Sequence, residues 1–377
     1  MKAEIHTSID EIEPQQWNRL VDDNNPLIRH EFLAAMEHHS CVGERFGWLP
    51  RHIALYDADE LVAAMPLYEK HNSYGEFVFD HQWESAWESS GRNYFPKLVS
   101  AVPYTPATGQ RMLFHSGDQE SQRMLTDTAV ALAVSINASG VHILFPTENQ
   151  QQQLDSIGWL SRHDVQFHWH NHAYADFDDF LSRLTARKRK MIRKEREAVV
   201  KSGVNLRQLD GHSASHADWQ AFTRFYEKTF DEKWGLATFN LGFFEEVAQK
   251  MPDNIILVLA DLDGECIAGS LMYCSNTTLY GRHWGCSQQV DMLHFEACYY
   301  QGIEFCIRRG LTSFEPGAQG EHKIPRGFLP VTTTSAHWIN DDEFREPVRQ
   351  WTLHEQAAVA AYHDELRLRS PYREENS

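Results

Sequence analysis

Long apolar runs are missing from this chain. No segment approaches the roughly 20 consecutive apolar residues that a membrane helix needs, and the acidic opening MKAEIHTSIDEIE lacks the basic-then-apolar pattern of a secretory leader. The expectation is a soluble, cytoplasmic protein. Cysteine is sparse. The six residues, Cys41, Cys266, Cys274, Cys286, Cys298 and Cys306, form no CxxC pair, which excludes a zinc ribbon or a thioredoxin-type motif and points to reduced, mostly buried thiols in a bacterial-type cytoplasm. Also missing are GxSxG, Walker A, GxGxxG and HExxH. Positive charge is in deficit, and a net charge of −18 excludes a protein that coats nucleic acid non-specifically. No low-complexity or proline-rich linker interrupts the chain.

What is present is a globular composition, 42% hydrophobic and 12% aromatic over 377 residues, long enough for two domains. A faint internal repeat supports that division. Trp17, Phe32-Leu33 and the run Ala54–Tyr68 are echoed by Trp219, Phe243-Phe244 and the run Val258–Tyr273. Leu55, Asp57 and Asp59 match Leu259, Asp261 and Asp263; after a one-residue shift, Val62, Ala63 and Tyr68 match Ile267, Ala268 and Tyr273. Each copy reads as helices, an apolar strand, an Asp-rich tight turn and a second strand. Further periodicity predicts helices over 126–138, 180–201, 294–309 and 351–368, and strands over 141–146, 166–174, 279–285 and 332–339. The fold class is therefore α/β with mixed (α+β) sheets. The domains are read as 1–165 and 166–377, the second carrying the basic helix 186–201 and the closing helix 351–368.

Four stretches carry chemistry. ARKRKMIRKEREAVVKSG, from Ala186, reverses the acidic balance of the chain, and reads either as a solvated helix face or as a seat for phosphates. QFHWHNH places His168, His170 and His172 on one face of a strand, a row that suits either substrate contacts from His168 and Trp169 or a divalent ion, although no Cys pair accompanies it. LYGRHWG sets Tyr280 and Arg282 on one strand face, as cleft residues or as cross-strand packing. Finally, the helix that starts near His294 and Glu296 leads through a strand ending at Glu315 into a loop bearing Gln319, Glu321, His322, Lys323 and Arg326 among three glycines. Glu296 is either a site residue or a favourable first-turn charge. The segment before that helix, CSQQVDML, lacks the glycine that a pyrophosphate-cradling loop uses.

Taken in order, GWLPRHIALY, PLYEKHNSYGEFVFDHQW, YFPKLVSAVPYTPATGQRML, QFHWHN, RKRKMIRKER, LYGRHWGC and HFEACYYQGIE through EPGAQGEHKIPRGFLP resemble the FemAB-like "peptidoglycan biosynthesis/recognition" proteins over nearly the whole chain. That resemblance implies two GNAT-like domains in tandem, a Fem-like N-acyltransferase, and a donor that is either aminoacyl-tRNA or acyl-CoA; no tightly bound cofactor and no metal are expected. It implies contact between the donor's phosphates, or tRNA, and Lys188, Arg189, Arg193 and Lys194. The acceptor is expected to be an amine of a peptide-like or small molecule, linked to peptidoglycan precursors. Acyl transfer to an amine needs a base, oxyanion donors and near-attack alignment, but no protein nucleophile. The candidate bases are His322 and Glu315, with Lys323 as the third catalytic residue; Tyr280, Arg282, His294, Glu296, Gln319, Arg326, His168 and Trp169 are the substrate-binding candidates. The alternatives are a non-catalytic recognition module for a cell-wall precursor or peptide, and an acyl-CoA-dependent N-acetyltransferase.

Overall fold

The computed structural model describes residues 1–115, 117–232, 235–318 and 320–373. The chain forms two compact units, Met1–Val165 with Thr332–Tyr362, and Gln166–Val331 with the segment from His363 onward. The strands, in chain order, are β1 (Lys2–His6), β2 (Trp48–Pro50), β3 (His52–Asp57), β4 (Glu60–Met65), β5 (Tyr68–Lys70), β6 (Lys97–Ser100), β7 (Leu113–Phe114), β8 (Gly140–Leu144), β9 (Leu160–His170), β10 (Asn205–Leu209), β11 (Ile255–Leu262), β12 (Glu265–Cys274), β13 (Thr278–Cys286), β14 (Ser313–Glu315) and β15 (Leu329–Ile339).

In the first unit β1-β3-β4-β7 form one antiparallel sheet. A second layer runs β2-β5-β6-β8-β15, with β6 and β8 parallel. The helix Gln119–Ser135 is capped by Asp118, whose carboxylate accepts from Ser121 N. It buries Leu125, Ala129 and Ala133, four apart on one stripe, against Ile53, Leu55 and Met65 of β3 and β4 and Val141 and Ile143 of β8.

The second unit orders its strands β10-β11-β12-β13-β14-β9, all antiparallel except the β13/β14 pair. A parallel pair requires a crossover, and helix 293–309 supplies it. The repeat seen in the sequence has a structural counterpart. Phe32-Leu33 and Phe243-Phe244 are buried on the helices His30–His38 and Leu241–Lys250, which precede the hairpins β3/β4 and β11/β12. Both hairpins carry a register shift, after Leu55 and after Ala260. The second turns through Asp263 and Gly264 at φ +52° and +85°, the two positive angles a tight hairpin uses.

Two predicted helices differ from the structure. The one expected over 180–201 is broken into Phe177–Arg183 and Ala186–Lys201, because Leu184 is fully buried with extended backbone and bridges to Tyr372. The last helix, Asp342–Arg367, begins before Trp351 and includes Pro347. Packing overrides the proline: Phe344 stacks on Trp87 at 3.8 Å and Val348 joins the same buried cluster. The predicted strand 166–174 ends at His170, leaving His172 outside it. Among the described residues no helix is long and apolar enough to cross a membrane.

Candidate active site

β13 runs nine residues but pairs with the three-residue β14 only over Thr278–Tyr280. The ladder ends there with β14, and the chain leaves Glu315 through Pro316, still against Gly281. Gly281 permits the close passage, since a Cβ there would sit 3.1 Å from Pro316 Cα. Helix 293–309 starts after Met292, which is in the left-handed region at φ +63°. It opens with a single α-turn, Leu293–Phe295, widens into π-helix over Glu296–Tyr300, and continues as α-helix over Gln301–Arg309. Gly302 lets that helix lie on the sheet, since a Cβ there would meet the Phe314 ring at 2.5 Å.

The π-turn explains a cluster that helical periodicity hides. Residues five apart diverge by roughly 140° on an α-helix, whereas a wider turn brings them together. His294 and Tyr299 accordingly have rings 5.4 Å apart, and Trp284 of β13 lies 5.4 Å from His294. Tyr299 OH shares a 2.9 Å hydrogen bond with His322 Nε2, and the His294 and His322 rings are 6.5 Å apart. Gly320 leaves room for the His322 ring: a Cβ there would lie 2.4 Å from its Cε1, and φ is +130°.

Three charged neighbours set the electrostatics. Lys323 is buried, its Nζ donating to Gly317 O and Ala318 O at 2.8 Å each, and burial pushes it down to about 7. Arg326 donates two bonds to the buried Glu195 carboxylate, at 3.1 and 2.7 Å, and a third to His322 O at 2.5 Å. Its guanidinium also covers the Phe295 ring at 3.4 Å, and Tyr300 OH donates to the same Glu195. Burial first, then the Lys323 and Arg326 charges, lower His322 from the ordinary imidazole value. Burial raises Tyr299, so its phenol stays protonated. The cluster thus holds a neutral imidazole able to take a proton, a phenol able to donate one, and an amine that titrates near neutrality.

Other predicted site residues sit elsewhere in this unit. Glu296 is buried and receives two bonds from Arg196, both 3.0 Å, and one from Gln301 at 2.9 Å. Tyr280 is buried on β13, and Glu315 is half-buried at the end of β14. Arg282 is half-buried and pushed down to about 10 by burial, with Tyr273 and Tyr226 opposing. His168 is buried and pushed down to about 3 by desolvation, then by His170 and Lys323. Trp169 is fully buried, its ring against Tyr174 and Phe180. On the basic helix Lys194 and Arg193 are exposed, Arg193 pairing with Asp178 at 2.9 Å, while Lys188 and Arg189 are half-buried. Gln319 lies outside the described residues. Among the described residues no three His, Cys, Asp or Glu side chains are grouped to hold a metal ion. Local sequence pattern singles out none of Tyr299, Glu195 and Tyr300; the π-turn and the fold bring them to the cluster.

The profile of the FemAB-like family, described as peptidoglycan biosynthesis/recognition, matches residues 8–374. The chain belongs to the FemAB-like family. Its fold is that of FemX, at 13% identity and a TM-score of 0.57, covering 93% of this chain and all (100%) of that one. The C-terminal domain of a putative lysylphosphatidylglycerol synthetase from Agrobacterium fabrum follows at 8% identity and TM-score 0.55, with 93% and 98% covered. L-PGS from Bacillus licheniformis has 11% identity and TM-score 0.52, with 90% and 96% covered. These likenesses are of fold alone: mixed α/β units in one chain. A search of curated proteins finds no match. For this FemAB-like chain the family sets the field, peptidoglycan biosynthesis or recognition, and the site must supply the chemistry.

Proposed function

We propose that this FemAB-like protein is an N-acyltransferase that moves an acyl or aminoacyl group onto an amine of a peptide-like acceptor, linked to peptidoglycan precursors. The observation that carries this is the His322–Tyr299 pair, with Lys323 next to His322 in the segment that follows β14. In the proposed step the acceptor nitrogen attacks the acyl carbonyl carbon as His322 takes the amine proton. The tetrahedral intermediate then collapses, the bond from carbon to the donor's oxygen or sulfur breaks, and Tyr299 gives its proton to that leaving atom. Lys323, when charged, stabilises the oxyanion.

The donor is aminoacyl-tRNA or acyl-CoA. Lys188, Arg189, Arg193 and Lys194 sit within two turns of the basic helix, a local density of positive charge that suits the phosphates of either. A native mass-spectrometry and thermal-shift panel of charged tRNAs, acyl-CoAs and UDP-linked muropeptides tests this. Salt-sensitive stabilisation by charged tRNA supports aminoacyl transfer, and stabilisation by a CoA ester alone supports an acyl-CoA enzyme. Binding of a muropeptide with silence from every donor sinks the transferase reading in favour of a recognition module. That second reading draws on Glu296 and Arg326, whose charges are already paired inside the protein.

A further inference from the structure

The first unit holds a dense buried polar network that the transfer site does not use. Lys97, wholly buried, donates to Glu76 Oε2 at 2.8 Å, to Ser73 Oγ at 3.3 Å and to Asp80 Oδ2. Asp80 also accepts from Ser73 Oγ at 2.9 Å and from Tyr94 OH at 2.5 Å. A second wholly buried lysine, Lys70, lies 3.9 Å from the Trp48 ring and donates to Tyr74 O at 3.1 Å and Asn72 Oδ1 at 3.3 Å. The loop 71–80 ties this cluster to Arg162, which donates to Phe79 O at 3.1 Å. Arg162 also forms a two-point pair with Glu355 at 2.8 and 2.7 Å, between the rings of Trp83 and Trp351. His142 closes the set: its Nδ1 lies 2.7 Å from His337 Nδ1, and its ring packs near Trp83 and Tyr94.

Four side-chain atoms of this network are buried with no hydrogen-bond partner among the described residues: Glu76 Oε1, His142 Nε2, Arg162 Nη1 and Trp83 Nε1. Buried polar atoms are rarely left so, and four in one network ask for a ligand group. Glu76 Oε1 is an acceptor, Arg162 Nη1 and Trp83 Nε1 are donors, and His142 Nε2 is an acceptor in the tautomer whose Nδ1–H donates to His337. The charges around them already cancel, Lys70 and Lys97 against Glu76 and Asp80, and Arg162 against Glu355. A ligand with net charge would be buried uncompensated; a zwitterion would not. Access is suggested by the loop itself. Phe77 is in the left-handed region at φ +60°, a conformation costly for an aromatic residue, and Tyr74, Phe77 and Phe79 stand 42%, 36% and 57% exposed along it.

We infer that this network is a binding site for a small zwitterion, a free α-amino acid or an unblocked short peptide. Glu76 Oε1 and His142 Nε2 accept from its ammonium, and Arg162 Nη1 and Trp83 Nε1 donate to its carboxylate. The inference stands apart from the transfer chemistry, because binding is read without a donor. Calorimetry and thermal shift on the full chain would use alanine, alanyl-alanine, N-acetylalanine and alaninamide. The expected result is binding of the unblocked compounds, with affinity about tenfold or more weaker for each blocked one; alanine against alanyl-alanine tells free amino acid from peptide. Glu76→Gln should weaken the ammonium end. Trp83→Phe, which keeps the ring but removes the N–H, should weaken unblocked ligands several-fold without unfolding the chain. No binding by any of the four, equal binding of blocked and unblocked forms, or a crystal structure in which ordered water alone satisfies the four atoms after soaking in alanyl-alanine would overturn it.

Discussion

Replacing Lys323 with methionine removes a buried amine while keeping most of its hydrophobic stem. The wild-type amine is pushed from 10.5 down to about 7 by burial. A base whose folded value is lowered binds fewer protons in the folded than in the unfolded state. Its presence therefore destabilises the protein most at and below pH 7, and that penalty is relieved as pH rises from 7 toward 10.5. Each unit of pH in that window is worth at most about 1.4 kcal/mol, and the linkage sum gives about 2 kcal/mol between pH 7 and pH 9. Against this, the methionine variant loses the two bonds to Gly317 O and Ala318 O, worth about 1 kcal/mol each and independent of pH in this range once made. Urea unfolding of both proteins across pH 6.5–9.5, in the same buffers, isolates the lysine: groups that Lys323 does not touch cancel in the difference, and His322 and His168, which it does, are both held below 6.5. The wild type should gain about 2 kcal/mol on the variant between pH 7 and 9. A difference that stays flat with pH would refute the claim that Lys323 is a near-neutral buried amine, and with it the titratable partner assigned to the transfer step.

Other consequences follow from the same geometry. Glu195→Ala strips the partner from the buried Arg326 and from Tyr300, and should cost about 3 kcal/mol or more in denaturant unfolding; a loss under about 1 kcal/mol would mean the pair does not organise the loop. Gly320→Ala places a methyl against the His322 ring and forces a positive φ on alanine. Stability should fall by about 1–3 kcal/mol, and the His322 imidazole signals should shift in NMR spectra while those of His168 stay put. Because His322 is lowered from 6.5, the acidic limb of the transfer rate should lie below that pH; a limb above it would point to another base.

The sequence showed strands and helices where hydrophobic periodicity was strong, as in β13 and the crossover helix, because local pattern decides those. It also showed the repeat, since hairpin turns such as Asp263-Gly264 announce themselves in four residues. The paired charges were beyond it. Glu296 and Arg326 look like ligand-binding residues in a polar helix start and a polar loop, yet their partners, Arg196 and Glu195, lie 100 and 131 positions away. Nothing local marks such a pairing. Tyr299 was hidden for a different reason: a π-turn shifts every residue after it around the helix, so a 3.6-residue period assigns the wrong face. Likewise the motifs PLYEKHNSYGEFVFDHQW and YFPKLVSAVPYTPATGQRML were visible as strings, but only the fold brings Glu76, Asp80 and Lys97 together.

Transfer itself is the most direct test. The protein would be incubated with charged tRNAs or acyl-CoAs and a UDP-linked muropeptide bearing a free amine, and the acceptor read by mass spectrometry, with His322→Gln alongside. The expected result is an acceptor heavier by one acyl or aminoacyl group, formed about a hundredfold or more slowly by the variant. An unmodified acceptor with every donor, or equal rates for wild type and variant, would contradict an acyltransferase built around His322.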